Sequence, residues 1–433
     1  MFTGIRELTV DEGARAVLGA GDQISDGADR RPLRVAMVVP PYFSIPPGGY
    51  GGVESVVADL TDALIKRGHH VTLIGVGENG TNADLVSVWP RPIPERLGEP
   101  MPEILQAALA RNAIRELATG PGLDIVHEHT GAGPLNAIAY EALGLPTVVT
   151  MHGPVDEDLH TFYQAVGKEI ELVAISERQR ELAPGLNWAG MVHNAISTET
   201  FPFRRDKGRY GLFLGRFHPN KAPHLALEAA HAVGMPLILA GKCAEAIEKD
   251  YFEREVKPRL TSEDIVFGEA DSQDKRRLFA EARCLLFPVQ WEEPFGMVMI
   301  EAMACGTPVV ALRGGAVPEV VVDGSTGYVC DHPSELADAL RRLDRISPEQ
   351  CRRRVAEHFD ISGLGTAYED VYRRVLRDKQ AAAETQPRLR RGYVDLDTGL
   401  DRRHGRERQA VARGSRPPLS NRVADRPRSA GAA

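Results

Sequence analysis

The sequence is poor in cysteine and in aromatic residues, and it contains no long apolar run. Its five cysteines are odd in number, and none belongs to a Cys-x-x-Cys pair, so the sequence predicts neither a disulfide scaffold nor a zinc site. No apolar stretch approaches the ~20 residues of a membrane-spanning helix. The first residues also lack the basic and apolar regions of a signal peptide. We therefore expect a cytoplasmic protein with reduced thiols.

Neither sign of charge dominates the 433 residues, whose net charge is −8. A mildly acidic chain does not fit a dedicated nucleic-acid binder, which carries a basic surface. Apolar residues make up 43% of the sequence and charged residues 26%, as in globular proteins that build a large core. At about 150 residues per domain, the length predicts two to three domains.

Short apolar segments alternate with amphipathic segments of helical length, which is typical of a parallel α/β sheet. In the first half the pattern predicts strands over 34–40, 71–75, 124–127, 147–151 and 171–175. After a connector over 196–209, it predicts strands over 211–215, 237–241, 264–267, 284–288 and 308–312. Helices are predicted over 53–67, 222–233, 272–282 and 296–304. We expect two doubly wound domains that face each other, with the ligand at the carboxyl ends of the strands.

Two glutamates accompany the predicted helix start at Gly296. Glu293 comes just before the helix, and Glu301 lies within it. The free N–H groups of a first helical turn can hold an anion, and Gly296 allows a close approach. A carboxylate two turns further on can accept paired hydrogen bonds from a vicinal diol. Because the helix around Glu301 is otherwise apolar and small, ordinary exposed glutamates do not fit this pattern.

Two cations follow the strand that ends at Gly215, namely Arg216 and Lys221. Arginine suits bidentate phosphate binding, and lysine supplies a point charge. Surface arginine and lysine are common, so the pair alone is a weak signal. Together with the helix start at Gly296, the pair of cations predicts a site that binds a diphosphate.

Two further segments are weak signals on their own. The loop that ends in Gly51 and Gly52 joins a strand to a helix and suits phosphate approach, but it lacks the P-loop lysine and the dinucleotide-binding spacing. His152 follows the strand over 147–151. A single histidine in such a place is more often a packed or surface residue than a functional one.

In order and spacing, these segments resemble glycosyltransferase family 4. The resemblance rests on Gly-Gly-Val-Glu at 51–54, Thr-Met-His-Gly at 150–153, Gly-Arg…Lys at 215–221 and Glu-Pro-Phe-Gly…Pro-Val-Val at 293–310. It covers residues 33–375 and is most specific over 286–327. It implies the GT-B architecture, in which two Rossmann-like doubly wound domains face each other and the C-terminal one binds most of the nucleotide sugar. The sequence departs from the family pattern at Ala195, Ala222 and 289–291, without losing a charged group.

The resemblance also implies a role for each matched residue. Glu301 would hold the ribose hydroxyls of the donor nucleotide, and Glu293 would contact the donor sugar near the reacting carbon. Arg216 and Lys221 would grip the diphosphate, and His152 would contact the sugar. The remaining donor contacts would come from the backbone of Gly51, Gly52, Phe295, Gly296, Met297 and Val298. His152, Glu293, Arg216 and Lys221 are the residues expected to act in catalysis.

The resemblance implies a retaining transferase that needs no cofactor and no metal. We expect it to move a hexose from a donor of the GDP-mannose or UDP-glucose type to a sugar, lipid or small-molecule acceptor. A nucleotide-sugar epimerase or hydrolase of the same fold, and a catalytically idle nucleotide-sugar-binding homologue, remain as alternatives. Because many relatives glycosylate lipids, peripheral contact with the inner face of a membrane also remains open.

The sequence predicts five segments along the chain. An N-terminal extension occupies 1–31, the acceptor-side domain 32–200 and the nucleotide-sugar domain 201–360. A helix over 361–379 is expected to pack back on the first domain. The tail over 380–433 holds twelve arginines and six acidic residues, a net charge of +6, and is expected to be a disordered, solvated extension. Contact of the tail with anionic lipid or with the acidic body is the alternative.

Overall fold

The computed structural model of the protein describes residues 31–49 and 51–385. In these ranges strands and helices alternate and form two sheets, and every pairing between strands of a sheet is parallel. The predicted α/β class with two doubly wound sheets is confirmed. No helix in the described part of the chain is long and apolar enough to cross a membrane.

The first sheet has seven strands in the order β3-β2-β1-β4-β5-β6-β7. They are β1 Arg34–Val38, β2 His70–Val76, β3 Asp84–Trp89, β4 Ile125–Glu128, β5 Thr147–Met151, β6 Ile170–Ala174 and β7 Trp188–Met191. The interior strands β1, β4, β5 and β6 are almost entirely buried. Burial on both faces explains why they read as continuous apolar runs in the sequence.

Helices connect the strands of the first sheet. They are α1 Gly52–Lys66, α2 Pro100–Thr119, α3 Ala137–Glu141, α4 Glu157–Val166 and α5 Glu177–Leu182. In α1 the apolar residues Val57, Leu60 and Leu64 are buried, as their helical spacing predicts. Because α1 begins at Gly52, the loop that contains Gly51 lies between β1 and α1.

The second sheet has six strands in the order β10-β9-β8-β11-β12-β13. They are β8 Gly211–Leu214, β9 Leu237–Ala240, β10 Ile265–Gly268, β11 Cys284–Phe287, β12 Val309–Leu312 and β13 Gly327–Cys330. The accompanying helices are α6 Pro223–His231, α7 Ala246–Tyr251, α8 Ser272–Glu281, α9 Met297–Ala304, α10 Val317–Val320, α11 Leu336–Arg341 and α12 Pro348–His358. The strand order reverses between β8 and β11, as it does between β1 and β4 in the first sheet.

The sequence pattern misses several elements. Strands β3 and β7 lie at the edges of the first sheet, and their residues are partly exposed, so they form no continuous apolar run. Strand β13 at the edge of the second sheet is also missed. Helix α2 is missed because small residues such as Ala107, Ala110 and Ala113 form much of its buried face.

The last described helix, α13, spans Ile361–Thr385 and packs against α1 and the first sheet, where Tyr368 and Tyr372 are buried.

The chain crosses between the two sheets twice, and Ile196 exchanges backbone hydrogen bonds with Phe359 and Ile361 where the crossings meet. The helix predicted over 361–379 continues at least through Thr385, because residues 380–384 are Gln, Ala and Glu, which are good helix formers. The expectations for the N-terminal extension and for the tail beyond 385 fall outside the described residues, and the domain boundaries stay predictions.

Candidate functional site

A cavity of about 640 Å³ is lined by residues from both sheets. Its walls come from the segments that follow β1, β5, β6, β7, β8, β9, β10 and β11, at the carboxyl ends of the strands. All the residues singled out from the sequence line it: Gly51, Gly52, His152, Arg216, Lys221, Glu293, Phe295, Gly296, Met297, Val298 and Glu301. The structure therefore brings together residues that lie up to 250 positions apart in the chain.

Strand order explains why these segments meet. In an open parallel sheet, a crevice forms outside the carboxyl ends of two adjacent strands whose connections leave in opposite directions. In the first sheet this point lies between β1 and β4, and β1 is followed by the glycine-rich loop. In the second sheet it lies between β8 and β11, which are followed by Arg216 and by the Glu293 segment.

Helix α9 points its N-terminus into the cavity. Its N-cap, Gly296, has a φ of 83°, a left-handed conformation that favours glycine. A side-chain Cβ there would lie 2.8 Å from Met299 Cε and 3.0 Å from Phe287 Cζ. Any residue other than glycine would therefore be strained at position 296. Because glycine has no side chain, none covers the start of the helix at this position. Since the first N–H groups of a helix have no partner within it, this N-terminus can hold an anion.

Glu293 is buried and is held by two side chains. Trp291 Nε1 donates to Glu293 Oε2 at 2.8 Å, and Lys221 Nζ contacts the same oxygen. The Lys221 ammonium also lies 5.0 Å from the centre of the Trp291 ring. Trp291, one of the departures from the family pattern, therefore fixes both the carboxylate and the cation.

The backbone that carries Glu293 is anchored from both sides. The neighbouring Glu292 accepts from Gly315 N at 2.7 Å and forms a two-bond pair with Arg178, which belongs to α5 in the first half of the chain. Ala316 N donates to Glu293 O at 2.9 Å. Glu293 thus sits on a segment that both halves of the molecule hold in place.

Arg216 faces two carboxylates of the α7 region. Its NH1 atom lies 3.6 Å from Glu245 Oε1 and 3.6 Å from Glu248 Oε1. The Glu248 side chain is fully buried and accepts from the backbone N–H groups of Ala244 and Glu245, so it is rigidly held. The guanidinium is therefore paired with two acids, of which Glu248 is held in place, while it still lines the cavity.

Glu301 pairs with a lysine that the sequence does not single out. Lys275 Nζ, from the first turn of α8, lies 2.8 Å from Glu301 Oε1, and both residues line the cavity. Within the described residues, Glu301 Oε2 is buried without a hydrogen-bond partner. No spacing rule points to Lys275, because its contact depends on how α8 packs beside α9.

His152, which is half-buried, contacts a pair of buried histidines, His127 and His129, through His129. Its Nε2 lies 2.8 Å from Nδ1 of His129, which follows β4 just as His152 follows β5. Burial lowers the pKa of His152 to about 4, so the ring is neutral at physiological pH. Sequence reasoning missed His129, although its place at a strand end was the same signal that drew attention to His152.

This arrangement can bind an anion and a polyol side by side. Arg216, Lys221 and the N-terminus of α9 supply positive charge, whereas Glu293 and Glu301 supply hydrogen-bond acceptors. Among the described residues, no group of three or more His, Cys, Asp or Glu side chains could hold a metal ion. Metal independence stays a prediction.

Comparisons with known proteins agree with the fold and the site segments. The family profile described as "Glycosyl transferases group 1" matches residues 198–357, and the one described as "Glycosyltransferase Family 4" matches residues 50–184. Together the two matched ranges cover more than half of the chain. The first contains the cation pair and the α9 segment, and the second contains the glycine-rich loop and His152.

Curated proteins and solved structures are similar over most of the chain. Glycogen synthase of Mycobacterium tuberculosis is 27% identical, over 82% of this chain and 98% of its own. D-inositol 3-phosphate glycosyltransferase of Acidothermus cellulolyticus is also 27% identical, over 83% of this chain and 94% of its own. The crystal structure of AviGT4, a glycosyltransferase involved in avilamycin A biosynthesis, is 26% identical with a TM-score of 0.61, over 80% of this chain and 98% of its own. The chain therefore belongs to the family 4 glycosyltransferases and has their GT-B fold.

Proposed function

We propose that the protein transfers a hexose from a nucleoside diphosphate sugar, of the GDP-mannose or UDP-glucose type, to a hydroxyl group of an acceptor. In this proposal the anomeric configuration is retained and no divalent metal takes part. One observation carries it: Arg216, Lys221 and the N-terminus of α9 line the same cavity as Glu293 and Glu301. Such a site matches the two halves of a sugar nucleotide, its diphosphate and its hydroxyl groups.

Arg216 and the N-terminus of α9 can stabilise the transition state of the chemical step. Glycosyl transfer passes through an oxocarbenium-like state while negative charge grows on the departing diphosphate. Groups that are already oriented toward that charge stabilise the transition state more than the ground state. Arg216 is paired with Glu245 and Glu248, and helix α9 is buried from Met299 to Ala304, so we expect little reorganisation during the reaction.

Lys221 can serve the diphosphate without leaving Glu293. An ammonium group has three N–H donors, of which the contact with Glu293 uses one. The pair therefore places a donor for phosphate next to an acceptor for a sugar hydroxyl. We expect the donor sugar to bind beside the Lys221–Glu293 pair, next to the bond that breaks.

His152 supplies hydrogen bonding and no charge. Because burial keeps its pKa at about 4, the ring is neutral and supplies no positive charge to the diphosphate, but it is a suitable hydrogen-bond partner for a sugar hydroxyl.

We propose that an oxygen of the leaving diphosphate accepts the proton of the acceptor hydroxyl on the same face of the sugar.

For the acceptor we propose a polyhydroxylated molecule bound by loops of the first half of the chain. The relative from Acidothermus cellulolyticus carries an inositol phosphate in its name, and glycogen synthase is named for a polysaccharide. Both names indicate hydroxyl-rich molecules.

The test is a thermal-shift panel of UDP, GDP and ADP with their hexose derivatives, each with and without EDTA. Ligand binding to the native state raises the melting temperature, so the effective nucleotide identifies the donor base. A selective rise that EDTA leaves unchanged is expected. The absence of a shift with every sugar nucleotide would overturn the proposal.

A product assay then separates transfer from the other activities. Incubation of the effective donor without an acceptor should give little free sugar and no epimerised donor. Rapid release of free sugar would indicate a hydrolase, and a changed sugar configuration in the donor would indicate an epimerase. The anomeric configuration of the transferred sugar, read by NMR, tests retention.

A further inference from the structure

We propose that His129 is a positioning residue that fixes the tautomer and the ring orientation of His152, so that His152 presents an Nδ1–H donor to the substrate. The inference rests on the proposed function, in which His152 contacts a sugar. His129 itself is not assigned a contact with the substrate.

The two rings are joined by one short hydrogen bond. His129 Nδ1 lies 2.8 Å from His152 Nε2, and the ring centres are 5.1 Å apart. His129 is 5% exposed and does not line the cavity, whereas His152 does. The pair is therefore a buried ring behind a ring that borders the cleft.

Between two neutral imidazoles one nitrogen donates and the other accepts, so the direction of this bond sets both tautomers. The second nitrogen of His129, Nε2, is buried and has no partner within the described residues. A proton there would be a buried donor without an acceptor, which folded proteins almost never tolerate, whereas an unused lone pair is tolerated more often. The proton of His129 is consequently on Nδ1, which donates to His152.

The neighbouring histidine does not change this assignment. The centre of the His127 ring lies 4.0 Å from that of His129, but both nitrogens of His127 are already engaged. Its Nδ1 bonds Tyr372 Oη at 2.7 Å, and its Nε2 bonds Thr150 Oγ1 at 2.7 Å. His127 thus packs on His129 without supplying an acceptor for its Nε2.

It follows that His152 accepts at Nε2 and carries its proton on Nδ1. Burial lowers the pKa of both His129 and His152, which keeps both rings neutral and the direction of the bond unchanged through neutral pH. A hydroxyl oxygen of the bound sugar is a suitable acceptor for this donor. Without His129 the ring of His152 could rotate and exchange tautomers, and the donor would be present in only part of the molecules.

The first experiment reads the tautomer directly. Long-range proton–nitrogen NMR spectra of the full-length protein labelled with [¹⁵N]histidine distinguish Nδ1–H from Nε2–H, and a His152→Gln spectrum identifies the His152 signals. We expect Nδ1–H for both His129 and His152. Finding Nε2–H on His152 would overturn the proposal, whatever the enzyme's substrate is.

The second experiment uses two variants of equal polarity. An asparagine amide reaches the place of Nδ1, whereas a glutamine amide reaches the place of Nε2, so His129→Asn retains the bond to His152 and His129→Gln loses it. We expect His129→Asn to stay within about threefold of the wild-type kcat/KM and His129→Gln to fall by roughly tenfold or more, as for one lost hydrogen bond. Equal losses in both variants, at similar melting temperatures, would overturn the proposal.

Nucleotide binding separates this inference from the proposed function. Both variants should keep the thermal shift that the nucleoside diphosphate alone produces, because neither His129 nor His152 is assigned a contact with the nucleotide. If the wild-type protein shows no shift and no transfer, the proposed function fails, while the NMR result still decides the tautomer.

Discussion

Lys275 Nζ lies 2.8 Å from Oε1 of Glu301, and both side chains line the cleft, with 25% and 11% of their surfaces exposed. The contact joins helix α8 to helix α9 beside the N-terminus that we assign to the diphosphate. The lysine fixes one carboxylate oxygen. In the part of the chain that the structure describes, the other oxygen has no hydrogen-bond partner.

Replacing Glu301 by alanine should weaken binding of the effective nucleotide by about tenfold to a hundredfold. Hydrogen bonds to a charged group contribute about 1.5–3 kcal/mol, and each 1.4 kcal/mol corresponds to tenfold in affinity. Calorimetry with the ribonucleotide and its 2′-deoxy form measures the effect. The wild-type protein should prefer the ribonucleotide, and the variant should bind both forms alike.

A control for this change is Glu281→Ala, which removes an acidic residue from the exposed end of α8, away from the cavity. Its affinity should equal that of the wild-type protein. Unchanged ribonucleotide affinity in Glu301→Ala would contradict the assignment of Glu301 to the ribose.

Gly315→Ala should disturb the segment that carries Glu293. Gly315 has a φ of 51°, and a Cβ there would lie 2.0 Å from the backbone oxygen of Glu293. We expect a loss of roughly 1–3 kcal/mol in unfolding free energy and a clear loss of transfer activity. Denaturant unfolding and initial rates measure the two effects.

Gly324→Ala is the matched control, because Gly324 has a φ of 71° but no atom within 4 Å of the added Cβ. It should lose only the roughly 1–2 kcal/mol that a left-handed alanine costs, with normal turnover. Equal activity losses in the two variants would refute the steric explanation.

The histidine group should make stability depend on pH with a defined sign. Burial holds the pKa of His127 well below 6.5, so below pH 6.5 the unfolded chain binds a proton that the folded protein does not. Each such histidine therefore lowers the unfolding free energy by about 1.4 kcal/mol per pH unit as the pH falls below 6.5. The stability advantage of wild type over His127→Gln should shrink accordingly between pH 6.5 and 5.

The wild-type protein alone does not isolate the effect of the histidines, because the buried carboxyl of Glu128 changes the unfolding free energy with pH in the opposite direction. Each effect is therefore measured as a difference from a variant. Burial raises the pKa of Glu128 to about 8, so the folded protein keeps a proton that the unfolded chain releases above pH 4.5. Its contribution to stability is present at low pH and is lost as the pH rises toward 8. Glu128→Gln should therefore gain stability relative to wild type as the pH rises. A constant difference across this range in either pair would contradict the assignment.

A chain that ends after Thr385 should keep nearly full turnover with a soluble acceptor. The residues that line the cavity lie between Gly49 and Glu301, and this chain keeps the whole described part of α13. A chain that ends after Asp360 should instead fail to fold, because it loses the buried Tyr368 and Tyr372. Loss of activity in the longer form, with an unchanged melting temperature, would make the tail part of the site.

The alternation of strands and helices could be read from the sequence because it depends on local patterns. Interior strands such as β1 are buried on both faces and therefore form apolar runs, whereas the edge strands β3 and β7 are half exposed and were missed. The helix start at Gly296 and the cations after β8 were also predictable, since a turn between a strand and a helix selects its residues locally.

By itself, the sequence determined the two α/β halves, the glycine-bordered helix starts and eleven of the residues that line the cleft, from Gly51 to Glu301. Only the tertiary structure decided which other side chains contact these residues and their neighbours. Lys275 meets Glu301 across 26 residues, His129 meets His152 across 23, and Arg178 meets Glu292 across 114. These contacts depend on strand order and on how helices pack side by side, and no local pattern in a chain encodes the distance between side chains that remote segments bring together.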